Sequence, residues 1–141
     1  MLYRLTKMIY DELSKQEGLK VFTEEHESSS CVWLSFGIDG GGHYRINFIS
    51  HDNDNDVAVR VYGLITIKEK QRGKMLAALN VINKKYRFLK FVLDDDGDIS
   101  IHYDYLLTDA NPAESVTELT GRITQIVDDA YPLLMRILWA E

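Results

Sequence analysis

The chain reads as an α+β protein, and three observations predict this. Two stretches alternate apolar and polar residues with period 2: Val32, Leu34, Phe36 and Ile38 with Tyr44, Ile46 and Phe48, then Leu89, Phe91 and Leu93 with Ile99, Ile101, Tyr103 and Tyr105. Apolar residues also recur at helical spacing near both ends of the chain and once in the middle. Turn residues separate the strand runs, Asp39-Gly40-Gly41-Gly42 in the first hairpin and Asp95-Asp96-Gly97 in the second. The order is α-β-β-β-α-β-β-α, three helices and five strands, with a sixth short strand if residues 19–25 extend. No repeat and no linker divides the chain, so residues 1–141 read as one domain.

Each element has its own justification. Leu2, Leu5, Met8, Ile9 and Leu13 form a helical stripe, and Gly18 follows the polar run Ser14 to Glu17 as a stop. Residues 19–25 carry a short strand pattern that the polar segment His26 to Ser30 interrupts. After the first hairpin the polar run Asp52 to Asp56 makes a turn. Val57, Val59, Val61, Ile65 and Ile67 then give the longest strand, in which Gly63 predicts a bulge and a curved sheet. Met75, Leu76, Leu79, Ile82 and Tyr86 mark one face of the second helix. Lys68, Lys70, Arg72, Lys74, Lys84, Lys85 and Arg87 make that helix basic at both ends, which reads as a solvated face. Asn80 and Asn83 share a helix face, and Asn83 is placed to satisfy free carbonyls or the incoming strand. Asn111, Pro112 and Glu114 are a helix start: a capping side chain, a proline at the first position and a glutamate three residues after the cap. Val116, Leu119, Ile123, Ile126, Val127, Ala130, Leu134, Ile137 and Leu138 continue the last stripe, and Pro132 within it predicts a kink or restart near Tyr131.

The register of the second hairpin can be derived. A two-residue turn at Asp96-Gly97 would set Phe91 opposite His102 and mix apolar with polar. A three-residue loop, Asp95-Asp96-Gly97, pairs Leu93 with Ile99, Phe91 with Ile101 and Leu89 with Tyr103, which places every apolar side chain on one face. It also requires Gly97 to be left-handed.

This block carries a family resemblance. Leu79, Asn80 and Asn83, then Arg87 and Phe88, then Asp94, Asp95, Asp96, Gly97 and Asp98 resemble the YbjN family of bacterial sensory transduction regulators. The match is specific over about thirty residues, and Ile82 departs from it where many members carry tryptophan. The resemblance implies a type III secretion chaperone-like fold, a curved antiparallel sheet with helices, commonly paired as a homodimer. It marks Asn80, Asn83, Arg87, Phe88, Asp95, Asp96 and Gly97 as the structural motif.

Composition narrows the function classes. Sixteen basic and 22 acidic residues give a net charge of −6, which disfavours nucleic acid as a partner. No run approaches eighteen apolar residues and the N-terminus lacks a signal pattern, so no membrane span and a cytoplasmic location are expected. The single cysteine, Cys31, lies in the apolar run CVWLSF and reads as a buried thiol in a reducing compartment.

The motifs that suggest chemistry are weak. A calcium loop with its glycine at Gly97 would need acidic ligands where Val92 and Tyr103 stand, and the run at Asp52 has Val57 where the glycine is needed and Gly63 where the terminal glutamate should be. Gly40-Gly41-Gly42 precedes a strand and so lacks the helix N-terminus of a phosphate cradle. His26, His43, His51 and His102 show no zinc spacing. No cofactor, metal or catalytic residue is therefore assigned.

The expected function is a non-catalytic protein-interaction domain, an adaptor, chaperone or regulator that pairs with itself and with an unidentified protein. Leu134, Leu138 and Trp139 are the expected interface, because apolar bulk runs to the very end of the last helix. The alternative is a small enzyme or ligand-binding domain with a pocket near Cys31 and the histidines.

Overall fold

The computed structural model describes residues 2–39, 41–51, 55–107 and 115–140. Along the chain these form α1 (Arg4–Ser14), β1 (Phe22–Glu25), β2 (Ser29–Gly37), β3 (His43–His51), β4 (Asp56–Thr66), α2 (Arg72–Lys85), β5 (Lys90–Leu93), β6 (Asp98–Leu106) and α3 (Ser115–Trp139). A single 3-10 turn at Glu69–Gln71 leads into α2. The predicted α+β order holds in its six-strand form, since residues 22–25 pair with β2. One antiparallel sheet results, in the order β1-β2-β3-β4-β6-β5. The helices line one face of it, with α1 over β2 and β3, α2 against β5, and α3 touching both other helices.

Alternation fixes which side of each strand is buried. Val32 and Leu34 of β2, Ile46 and Phe48 of β3, Val57, Val59 and Val61 of β4, and Ile99 and Ile101 of β6 are all buried beneath the helices. They meet Leu5, Ile9 and Leu13 of α1, Met75, Leu79 and Ile82 of α2, and Val116, Ile123, Val127, Ala130 and Leu134 of α3 in one core. Burying a side chain of this size contributes roughly 1.5–3 kcal/mol. α1 starts without a capping side chain. Instead the Ser30 hydroxyl accepts from the Tyr3 backbone N–H at 3.0 Å and bonds the Thr6 hydroxyl, which fastens the helix start to the sheet.

The second hairpin takes the derived register. Leu93 pairs with Ile99 and Phe91 with Ile101. Asp94 and Asp98 close the loop through a 2.8 Å backbone bond, and Gly97 has φ +92°. Gly63 also acts as expected: its φ is +60°, and the β4–β6 register shifts between Val61 and Ile65.

Two expectations need correction. Of the kink or restart expected near Tyr131 the restart does not occur, since α3 runs from Ser115 to Trp139 through Pro132. Proline there removes the bond to the Asp128 carbonyl, at a cost of about 3 kcal/mol, but Asp128 is solvent-exposed and Ala130 and Leu134 on either side are fully buried. Core burial on both sides outweighs one lost bond. Leu76, read as part of the core face of α2, is 51% exposed, while Met75, Leu79 and Ile82 are buried. The capping residues Asn111, Pro112 and Glu114 lie outside the described residues, as do Asp52, Asn53, Asp54 and Gly40. Among the described residues no helix is long and apolar enough to cross a membrane.

Candidate interaction surfaces

Most motif residues serve the architecture. Asn83 holds the first residues of β5: its amide donates to the Phe91 carbonyl at 3.0 Å, and its carbonyl oxygen accepts from the Phe91 N–H at 2.7 Å. An edge strand four residues long is thereby tied to the helix as well as to β6. The acidic turn is held from the same helix, because the Arg72 guanidinium donates to the backbone carbonyls of Asp94 and Asp95 at 3.3 and 3.2 Å. Gln71 donates to the Leu138 carbonyl at 2.7 Å, which joins the start of α2 to the end of α3. Asp95 and Asp96 are exposed, and Asp96 accepts from the Asp98 backbone N–H at 3.0 Å within the turn. Gly97 is buried against Ile67.

The described ends of the two acidic runs, Asp56 and Asp98, lie at opposite ends of the long strand. Asp56 pairs with Leu106 and Thr66 pairs with Asp98, roughly 30 Å apart at the usual rise per residue. Among the described residues no group of three or more His, Cys, Asp or Glu side chains is placed to hold a metal ion.

Cys31 lies on the face of the sheet away from the helices, outside the main core. It is 6% exposed and lines a depression of about 400 Å³ with Glu24, His26, Ser29, Asn47, Ile49, His51 and Tyr62. The depression brings His26 and His51 near the cysteine but not His43 or His102. Burial pushes the thiol pKa up to about 11, and the Glu24 carboxylate pushes it the same way. At neutral pH only about one thiol in ten thousand is then ionised, the reverse of an activated nucleophile. His26 sits 3.5 Å from Glu24 rather than bonded to the sulfur, whose contacts are the Val32 carbonyl and Asn47 at 3.7 Å. On the same face Trp33 stacks on Phe22 at 4.3 Å, and the Arg45 guanidinium lies 3.7 Å from the Trp33 ring centre.

The helical side presents apolar surface. Trp139 is 76% exposed and Leu138 is half-buried at the end of α3. Leu134 is fully buried in the chain's own core, so it offers no surface to a partner, and that part of the expected interface falls away. Arg87 and Phe88 flank the exit of α2. The Phe88 ring is 39% exposed and carries the Arg122 guanidinium at 4.8 Å, at the edge of a cleft of about 370 Å³. α2 itself exposes Leu76 and Val81, the latter 63%, with Gly73, Ala77, Asn80 and Lys84 between them.

That surface sits in an unusual field. Residues 68–90 hold eight of the chain's sixteen basic residues and one of its 22 acidic ones, so this segment carries +7 and the rest −13. Among the described residues Lys70, Lys74 and Lys84 have no carboxylate at ion-pair distance, and Arg72 has Glu69 at 3.3 Å.

The comparisons with known proteins agree with this architecture. A family model described as "Putative bacterial sensory transduction regulator", YbjN, matches residues 37–135. The chain belongs to the YbjN family. The match takes in β3 to β6, α2 and most of α3. A solved structure, "Crystal structure of YbjN, a putative transcription regulator from E. coli", superposes with a TM-score of 0.60 at 15% identity, covering 90% of this chain and 91% of that one. At that identity the likeness concerns the fold. No curated protein matches in sequence.

Sequence reasoning missed the outward face of α2. Its signal was Val81, an aliphatic residue off the core stripe within a helix otherwise ringed by lysines.

Proposed function

We propose that this YbjN-family chain is a non-catalytic protein-interaction domain that acts as a dimeric regulator in the cytoplasm. The observation that carries the proposal is exposed apolar bulk on the helical layer: Trp139 at the end of α3, Leu76 and Val81 on α2. The family description as a sensory transduction regulator supports the same class of activity. The reading with a catalytic pocket at Cys31 is weaker, since burial raises the thiol pKa and His26 faces Glu24 rather than the sulfur.

For the homodimer, the surface proposed is the end of α3, through Leu138 and Trp139, where closed two-fold pairing would cover the indole. Light scattering over a range of concentrations tests it. The expected mass is twice the 16.3 kDa of the chain, falling to one chain in the double variant Leu138→Asp, Trp139→Ala. A monomer at high micromolar concentration refutes the dimer, and a dimer indifferent to the double variant moves the interface elsewhere.

A further inference from the structure

We infer that the outer face of α2 is a docking site for an acidic amphipathic helix of a partner protein. The inference rests on the reading of the chain as an interaction domain, and it specifies the chemistry of one surface. Met75, Leu79 and Ile82 point into the core, so the opposite side of α2 belongs to no packing layer among the described residues. Leu76 and Val81 stand on either side of it, with Gly73, Ala77, Asn80 and Lys84 exposed between them. These two aliphatic side chains give an amphipathic helix laid across the face its apolar contacts.

Charge identifies the occupant. Lys70 and Lys74 stand before the apolar pair, and Lys84, Lys85 and Arg87 after it, all exposed. The segment is positive at both ends within a chain that is otherwise strongly negative. Exposed, unpaired lysines framing apolar side chains favour a ligand with carboxylates framing its own apolar turn. From Lys74 to Lys84 the helix rises about 15 Å, so the ligand's acidic groups should lie about ten residues apart on a helix.

The same pattern argues against the other occupants. Pairing α2 with the α2 of a second copy, parallel or antiparallel, sets basic ends against basic ends. A phosphate backbone has no use for Leu76 and Val81 at the centre of the patch, and the −13 carried by the rest of the chain repels it.

The test is a titration of the isotope-labelled full chain followed by amide chemical shifts. The probe is a synthetic helical peptide with two leucines four apart and glutamates about ten residues apart around them; its twin replaces the glutamates with lysines. The glutamate peptide should shift the amides between Gly73 and Lys84 and bind more weakly as salt rises from about 50 to 300 mM. The lysine twin should not bind. Leu76→Glu and Val81→Glu, both at exposed positions, should each lower affinity tenfold or more while leaving the remaining spectrum unchanged. Lys74→Glu with Lys84→Glu should reverse the preference toward the lysine twin.

Several results overturn the proposal: no shifts at about 1 mM peptide, shifts confined to the sheet, or equal binding of the two peptides. Stronger binding of a DNA duplex or of phosphatidylglycerol vesicles at the same salt overturns it in favour of those partners. Concentration-dependent shifts at Leu76 and Val81 without peptide overturn it in favour of a second copy. None of these outcomes depends on the dimer at Trp139, whose failure would show in the light scattering instead.

Discussion

Gly97→Ala is the most informative substitution in the hairpin, because two separable penalties meet at this residue. With φ at +92°, any L side chain incurs the left-handed cost of about 1–2 kcal/mol. An added Cβ would also stand 2.8 Å from the Ile67 carbonyl oxygen, closer than a carbon can approach it. That oxygen belongs to backbone and cannot rotate away. The turn must therefore move, which strains the 2.9 Å bond from the Ile67 N–H to the Gly97 carbonyl. Forced overpacking of this kind costs typically 1–3 kcal/mol, so the total should be about 2–5 kcal/mol. Gly18 supplies the control: its φ is +86°, and an added Cβ meets nothing within 4 Å. Gly18→Ala should show the dihedral cost alone, about 1–2 kcal/mol. Urea unfolding of both variants, with unchanged slopes, gives the difference directly. Equal destabilisation would refute the claim that contact with Ile67 adds to the turn's own preference.

Three other outcomes are expected. Asn83→Ala should destabilise by about 2–3 kcal/mol, since it removes both bonds to Phe91, and amide exchange should accelerate in β5 before the core; uniform acceleration would refute the latch. His102 has its pKa lowered, first by burial and then by Arg60. The folded state therefore disfavours the charged imidazole, so stability should decline as pH falls through the unfolded value of about 6.5, and His102→Gln should flatten that dependence, a decline of the same size disproving it. Cys31, with its pKa near 11, should resist iodoacetamide in the folded chain at pH 8 and react only on unfolding, whereas rapid labelling would contradict the burial.

The hairpin was legible because its register is over-determined. Period 2 on both strands, a glycine at the left-handed position and the requirement of one apolar face all give the same loop, so a single sequence suffices. Asn83 could be read for a similar reason: a short amide near a helix end, just before a strand, has few other partners within reach. The strand at Phe22 to Glu25 was harder, since every residue in it is exposed. An edge strand with no buried face leaves no alternation to detect, and its pairing with β2 is a tertiary fact. The restart read at Pro132 does not occur, for the complementary reason. Its local penalty is real, but neighbouring core contacts decided the outcome, and those contacts come from elements distant in sequence.

The face of α2 shows what periodicity conceals. At 100° per residue, Met75, Leu79, Ile82 and Tyr86 fall within about 60° of arc, and Leu76 lies a further 60° or so outside it. Adding Leu76 to the stripe widened the core face and hid the fact that the helix is apolar on two sides. The structure separates them: three residues of the narrow arc are buried, whereas Leu76 and Val81 are more than half exposed. A helix that is apolar beyond what its core can cover, and basic at both ends, is not accounted for by folding alone. Its inner arc belongs to the fold shared with the YbjN relative, and its outer arc is where the function of this chain should be sought.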